Sequence, residues 1–543
     1  AAPTISLSDL VGADLIFVIG SNLPNNQPVS TKYLRAARKA GSRVVVVNPF
    51  REPAMERYFI PSIPSSALFG SRLMDEYVPV RPGGDIALLS GVLKALDERR
   101  GWDEQFVREH TTGSEELRAH LRRQRYAELA SDAGVDEGTF HRLAEMYARA
   151  RTAVIVYSMG LTQYTFGVDN VRMVVNFALA RGMIGREKCG ILPIRGHSGV
   201  QGTAECGCDA DRLPGAQPID AESVARLEGL WRHPIPPRPG LRAAALLDRA
   251  GEAGLDVLYL VGGNHLENMP DRAHARRALE NVRLRIHQDI VLNTSTLLDA
   301  KEAVLVLPAE TRYELRGGGT STSTERRIRF TPEIPGPRIE GARAEWWIAA
   351  ELGKRVRPER DDLFHYDGPA AIRREMATVM PLYAGIERLE REGDSVQWGG
   401  PRLGTAGFPS LPGGRARFST VRVPRVDVPE GRLLLTLRRG RQFNSMTYGT
   451  KDPLTGGAAR TDVLLDARDV ARLDLAEGDA VTVTSDHGVL DATLRVGPCR
   501  VQHAQAFWPE GNVLVPRRYD PESGEPDYAA TVTVTRRAPG PSA

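Results

Sequence analysis

The stretch Ile194-Arg195-Gly196-His197-Ser198-Gly199-Val200-Gln201-Gly202 sets an arginine, a histidine and three glycines side by side. Little of that composition serves a packed core. Glycines at 196, 199 and 202 let the backbone take positive φ and come close to another group. The Arg195 guanidinium adds a permanent charge and a planar fork of donors. Two readings stand at this point: a surface turn with a solvated arginine, or a site for an anionic, oxygen-rich ligand.

Polar and glycine residues of the same kind recur wherever an apolar run stops. The run 14–20 ends in Gly20-Ser21-Asn22, and Val44 to Val47 ends in Asn48-Pro49. Tyr77 to Val80 leads into Arg81-Pro82-Gly83-Gly84-Asp85, and Ala153 to Tyr157 into Ser158-Met159-Gly160-Leu161-Thr162-Gln163. Val257 to Val261 ends in Gly262-Gly263-Asn264. Continuous apolar runs followed by polar loops and amphipathic helices (29–40, 85–96, 141–150, 167–182) predict parallel sheets covered on both faces. Ligands of such sheets bind outside the carboxyl ends of the strands, where these loops lie. No G-x-G-x-x-G follows the first strand, so the usual dinucleotide fingerprint is absent. Asp85 either caps its helix or accepts hydrogen bonds from a guanine edge.

These loops are carried by a long chain. Its 543 residues allow roughly three to four domains. Lys+Arg 71 against Asp+Glu 68 is too even to argue for nucleic acid, so any anion site is local. No apolar run reaches the ~20 residues needed to cross a bilayer. The four cysteines make no disulfide framework and point to a reducing, cytoplasmic setting; Cys206 and Cys208 either touch a metal or are ordinary thiols. The pattern divides into an α/β unit over 1–150, a second over 151–394 that carries the Arg195 loop, a glycine- and proline-rich linker over 395–428, and a small β-barrel over 429–543. The Gly/Ser/Thr-rich segment 314–327 reads either as a phosphate or pterin cradle or as a plain loop.

Taken in order, these motifs, with Thr324-Glu325-Arg326-Arg327, Arg438-Arg439-Gly440-Arg441-Gln442-Phe443-Asn444, Glu510-Gly511-Asn512 and Pro526-Asp527-Tyr528, resemble the molybdopterin oxidoreductases of the dimethyl sulfoxide reductase superfamily. The nearer resemblance is to the formate dehydrogenase-like branch, alpha subunit, over essentially the whole chain. It implies two Rossmann-like doubly wound units and a C-terminal double-psi barrel. It also implies a bis(molybdopterin guanine dinucleotide) cofactor with molybdenum or tungsten and two-electron oxidation of formate to carbon dioxide. By that resemblance Gly20, Ser21, Asn22, Asn48, Pro49, Gly83 and Asp85 hold one nucleotide end, and Met159, Gly160, Gln163, Gly263 and Asn264 surround the other. Gly196 and Gln201 follow the active-site arginine. Arg439, Gly440, Arg441, Asn444, Asn512 and Tyr528 close over the pterins from the barrel.

Arg195 sits where the family's formate dehydrogenases place an active-site arginine, and His197 is either a proton relay or a hydrogen-bond partner of the cofactor. His197-Ser198-Gly199 stands where the better-known formate dehydrogenases have Gln-Asn-Asn, so another small oxyanion is an alternative substrate. The resemblance also implies an N-terminal region with a 4Fe-4S cluster and a metal-ligating side chain. The sequence opens Ala1-Ala2-Pro3 without it, which leaves a cofactor-free, non-catalytic chain as a further reading. An electron-accepting protein or subunit is expected, its nature open.

Overall fold

The computed structural model describes residues 2–197, 199–440 and 449–537. Strand β1 (Leu15–Ile19) is apolar throughout, and all of it is buried because the sheet it centres is covered on both faces. Strands β2 (Arg43–Val47) and β3 (Glu76–Val78) lie on one side of it, β4 (Ala153–Tyr157) and β5 (Gly190–Pro193) on the other. The order is β3-β2-β1-β4-β5, every pair parallel. Helix Glu137–Arg149 shows why such a sheet holds. Its N-cap Asp136 accepts from the Thr139 amide, and Phe140, Leu143, Ala144 and Tyr147 form one buried stripe.

The restart expected at 151 is not a new sheet. Strand β4 pairs with β1 from Leu15↔Ala153 to Ile19↔Tyr157, so a boundary at 150 cuts through one sheet. A separate parallel sheet comes later, from β6 (Leu255–Val261), β7 (Val282–Asp289) and β8 (Ala303–Pro308) in the order β8-β7-β6. The Gly/Ser/Thr-rich segment is not a plain loop: Gly319–Thr322 and Arg327–Thr331 form an antiparallel hairpin. Arg326 at its turn is wholly buried and donates to the carbonyls of Pro3, Trp398 and Gly400.

Residues 395–428 are likewise not a free linker. Ser395–Gln397 adds a third strand to the hairpin, Ala416-Arg417 pairs with Thr111-Thr112, and Phe418 stacks on Trp102 at 5.3 Å. A glycine- and proline-rich texture here describes a strap anchored by a few aromatic and aliphatic side chains. Beyond it a closed six-stranded barrel forms, with a strand that sequence patterning misses, His503–Trp508, beside the first strand Leu433–Arg439.

Barrel and first sheet are joined by a buried ion pair. Arg438 Nη2 donates to Glu52 Oε2 at 3.0 Å and Nη1 to Gln505 Oε1 at 2.9 Å, with the guanidinium 4.5 Å over the Phe50 ring. Removing one partner of such a pair strands the other charge, at about 3–5 kcal/mol. Arg438→Met therefore lowers the urea-unfolding free energy by roughly that amount at pH 8. Burial already holds the Glu52 carboxyl above its usual range, and loss of Arg438 raises it further. The folded state then binds the proton more tightly than the unfolded one, so the penalty shrinks as pH falls toward the ordinary carboxylate range. An equal loss at pH 5 and pH 8 would contradict this.

Candidate functional site

The carboxyl ends of the first sheet face the barrel across a cavity of about 1060 Å³. That exceeds the upper end of the usual pocket range, roughly 1,000 Å³. The loops that line it follow both edge strands, β3 through Asp85 and β5 through Arg195. Four strand spacings separate those edges, roughly 19 Å. The chain order of the sheet reverses between β1 and β4, where ligands of open α/β sheets bind. There Gly160 N donates to Gly20 O at 3.0 Å. A Cβ on Gly20 would lie 2.9 Å from the Gly160 carbonyl carbon, and one on Gly160 would lie 2.6 Å from Gly20 O. Both positions require glycine, and Gly20 also carries φ +60°.

The wall after β1 is polar and poorly satisfied. Ser21 Oγ, both polar atoms of the Asn22 side chain and Gln27 Oε1 are buried without a hydrogen-bond partner. Asn48 Nδ2 donates to Ser21 O at 3.1 Å and fixes that loop, with Pro49 beside it on the wall. Asp85, 4 % exposed at the first turn of its helix, faces the cavity with no ion-pair partner among the described residues. Burial pushes its carboxyl up to about 7, its own backbone amide drawing it partly back.

The other edge is cationic. Arg195 Nη1 donates to Gln201 Oε1 at 2.7 Å, and the Arg195 amide to Thr324 Oγ1 at 3.1 Å. Burial lowers the Arg195 pKa, opposed by Tyr157 and Glu205. Arg439, from the barrel, donates through Nη1 to His197 Nε2 at 3.2 Å, which requires neutral imidazole with its proton on Nδ1. Burial and the Arg439 charge both depress the His197 pKa, consistent with that tautomer. The Arg439 Nη1 atom lies 4.0 Å from where a Gly196 Cβ would stand, so two guanidinium groups flank this loop. Met159 and Gln163 line the cavity too, and the Tyr528 amide donates to Gln163 O at 3.3 Å while its hydroxyl donates to Asn268 O at 2.9 Å.

Other expected residues lie off the wall. Gln201 sits behind Arg195, and Gly83 makes a turn against Val426 and Phe166. Asn264 is fully buried and spent on Thr294 and Ser295, Gly263 forming the turn before it. Asn512 donates to Glu267 O, and Gly440 is buried at the end of its barrel strand. Ser198, Arg441, Gln442, Phe443 and Asn444 lie outside the described residues. The sequence reading missed Glu52, Tyr157, Gln505, Trp508 and Glu525 on the wall. Burial and nearby Asp520 push the Glu525 carboxyl up to about 7. Gln505 and Trp508 belong to the unforeseen strand; Glu52, just past Asn48-Pro49, was within reach of the strand-end argument. Among the described residues no group of three or more His, Cys, Asp or Glu side chains is poised for a metal ion.

Fold and site together define a protein with one large cavity, edged by polar and charged groups, between an α/β body and a barrel. Residues 3–355 match the family model for molybdopterin oxidoreductase, and 433–532 that for the molydopterin dinucleotide binding domain. The chain belongs to the molybdopterin oxidoreductase family. It is 29 % identical to Protein YdeP of Shigella flexneri, over 97 % of this chain and 72 % of the relative. It is also 29 % identical to the F420-dependent formate dehydrogenase 2 subunit alpha of Methanococcus maripaludis, over 91 % and 71 %. Acetylene hydratase from Pelobacter acetylenicus shares the fold, with a TM-score of 0.71 at 17 % identity over 99 % of this chain and 79 % of that one.

The Asp85 carboxylate gives the site a pH signature. A folded pKa near 7 against 3.8 unfolded means that the ligand-free protein loses stability as pH rises from about 4 to 7. Asp85→Asn abolishes that loss, so the cofactor-free variant unfolds at higher temperature than the parent at pH 8, by the equivalent of about 4 kcal/mol at most. The two coincide near pH 4. A variant no more stable than the parent at pH 8 would mean that the carboxylate is not desolvated.

Proposed function

We propose that this chain is a molybdenum- or tungsten-dependent oxidoreductase that holds bis(molybdopterin guanine dinucleotide) in the cavity and oxidises formate to carbon dioxide. The observation that carries the reading is the pairing of unlike edges in one cavity. An unpaired carboxylate, Asp85, lies at one edge, orphaned amide and hydroxyl groups follow the central strand, and Arg195 with Arg439 stands at the other edge. A buried carboxylate without a cation suits the N–H edge of a guanine, and unpaired Ser21, Asn22 and Gln27 suit a ligand rich in donors and acceptors. The residues present therefore fit such a cofactor.

In this reading Gly20, Ser21, Asn22, Asn48, Pro49 and Asp85 hold one nucleotide end, and Met159, Gly160, Gln163 and Tyr528 belong to the second dinucleotide. The bound cofactor supplies the two-electron redox chemistry. Arg195 grips the substrate carboxylate through two parallel N–H bonds and orients it. His197, as acceptor from Arg439, holds that arginine at the wall. Tyr528 ties the barrel to both α/β sheets and fixes the distance between them. The finer fold, two Rossmann-like units and a double-psi barrel, belongs to the same proposal. No helix among the described residues is long and apolar enough to cross a membrane, and four free cysteines favour a reducing compartment, the cytoplasm. The formate dehydrogenase relative supports the substrate; the second guanidinium, Arg439, favours another small oxyanion as a second reading.

Arg195→Lys keeps the charge and removes the fork. The variant retains metal and nucleotide but loses formate oxidation with a dye acceptor by about 100-fold or more. Full turnover in a loaded variant overturns the role.

A further inference from the structure

Behind Arg195 a buried polar chain runs from the cavity wall into the protein. Helix Val200–Glu205 sets Gln201 and Glu205 four residues apart on one face. Gln201 Oε1 accepts from Arg195 Nη1 at 2.7 Å, and Gln201 Nε2 donates to Glu205 Oε1 at 2.8 Å. Glu205 Oε2 accepts from the Tyr383 hydroxyl at 2.6 Å and from Trp398 Nε1 at 3.2 Å. Gln201, Glu205 and Tyr383 are buried. Among the described residues Glu205 has no ion-pair partner within 4.0 Å; its direct partners are neutral donors from three separate parts of the chain.

The direction of every bond in this chain is fixed. A carboxylate only accepts, so the Gln201 amide must turn its NH2 to Glu205 and its oxygen to Arg195. The guanidinium, which only donates, turns the Gln201 oxygen the same way; a neutral amide at 205 would offer one acceptor oxygen to the donors of Gln201 on one side and Tyr383 and Trp398 on the other, so one side of the chain would lose its acceptor. Burying a carboxylate costs several kcal/mol where no cation touches it. A glutamine would fill the same space. What the carboxylate adds is an acceptor of fixed polarity and a negative charge behind a desolvated arginine, whose charged form it favours.

We propose that Glu205 is a positioning residue that acts through Gln201: it sets the direction of the Arg195 guanidinium at the cavity wall and supplies the counter-charge behind it. That Arg195 meets a carboxylate substrate rests on the formate reading above; the relay itself does not.

The test uses the full chain. Cofactor-free protein is treated with phenylglyoxal, and labelling at Arg195 is followed by peptide mass spectrometry, with exposed Arg283 as internal reference. Glu205→Gln releases Arg195 and raises its labelling rate at least threefold over the parent, while Arg283 and a surface control, Glu392→Gln, do not change. Gln201→Leu cuts the same chain, leaves Glu205 its bonds to Tyr383 and Trp398, and raises Arg195 labelling likewise; it decides the matter should Glu205→Gln fail to fold. In loaded enzyme Glu205→Gln raises the KM for formate more than it lowers kcat, and Glu205→Asp recovers part of the loss. Unchanged Arg195 labelling in folded variants, or labelling raised equally at Arg181 and Arg285, which are held by carbonyls away from Glu205, as general loosening would do, overturns the proposal. Should the loaded parent not turn over formate, the formate reading fails while the labelling still decides the relay.

Discussion

The backbone contact between Gly20 and Gly160 is the constraint on which the rest depends. At that point β1 and β4 leave the sheet in opposite directions, and two peptide groups meet where a side chain on either residue would collide. Because the chains diverge from there, a cleft opens over the strand ends, and the loops after β1, β2 and β5 all face it. The sheet is rigid because both faces are covered, so these loops are held by packing beneath them.

The barrel closes what the sheet opens, through contacts that differ in kind. The Glu52–Arg438 pair is dry and aromatic-flanked, whereas Arg172 meets the Glu522 carboxylate through two hydrogen bonds near the surface. Asp520 from the same barrel loop caps the helix that begins at Gly167 by accepting from the Val168 amide at 3.0 Å. The walls so assembled leave acceptors, donors and charges unsatisfied inside. Unliganded, such a cavity costs stability, and a ligand that satisfies it gains affinity from the same groups.

Much of the first sheet was legible because each strand is a continuous apolar run, a pattern that parallel strands covered on both faces produce. Its order was not, since nothing local in Ala153 to Tyr157 says that this strand pairs with Leu15–Ile19. The strand His503–Trp508 was missed because buried His503 and Gln505 interrupt the apolar signal. Their burial rests on Thr436 and Arg438, partners far off in sequence. The glycines divided instructively. Gly20 and Gly196 line the cavity, while Gly83 and Gly202 serve close packing, the latter against Thr322. Sequence marks where a backbone comes close to something; it does not say whether that is a ligand or the protein itself. Arg195 and Asp85, each left in the sequence with an ordinary turn or capping role beside a binding one, both face the cavity, and Glu205 was passed over because its partners, Tyr383 and Trp398, lie far along the chain.

The central claim is that one cavity holds a metal between two guanine dinucleotides. Elemental mass spectrometry of the purified chain, with acid hydrolysis to release nucleotide, tests it most directly. The account predicts molybdenum or tungsten with about two equivalents of GMP per metal. Protein that carries the metal with no GMP, or with another nucleotide in its place, would contradict it.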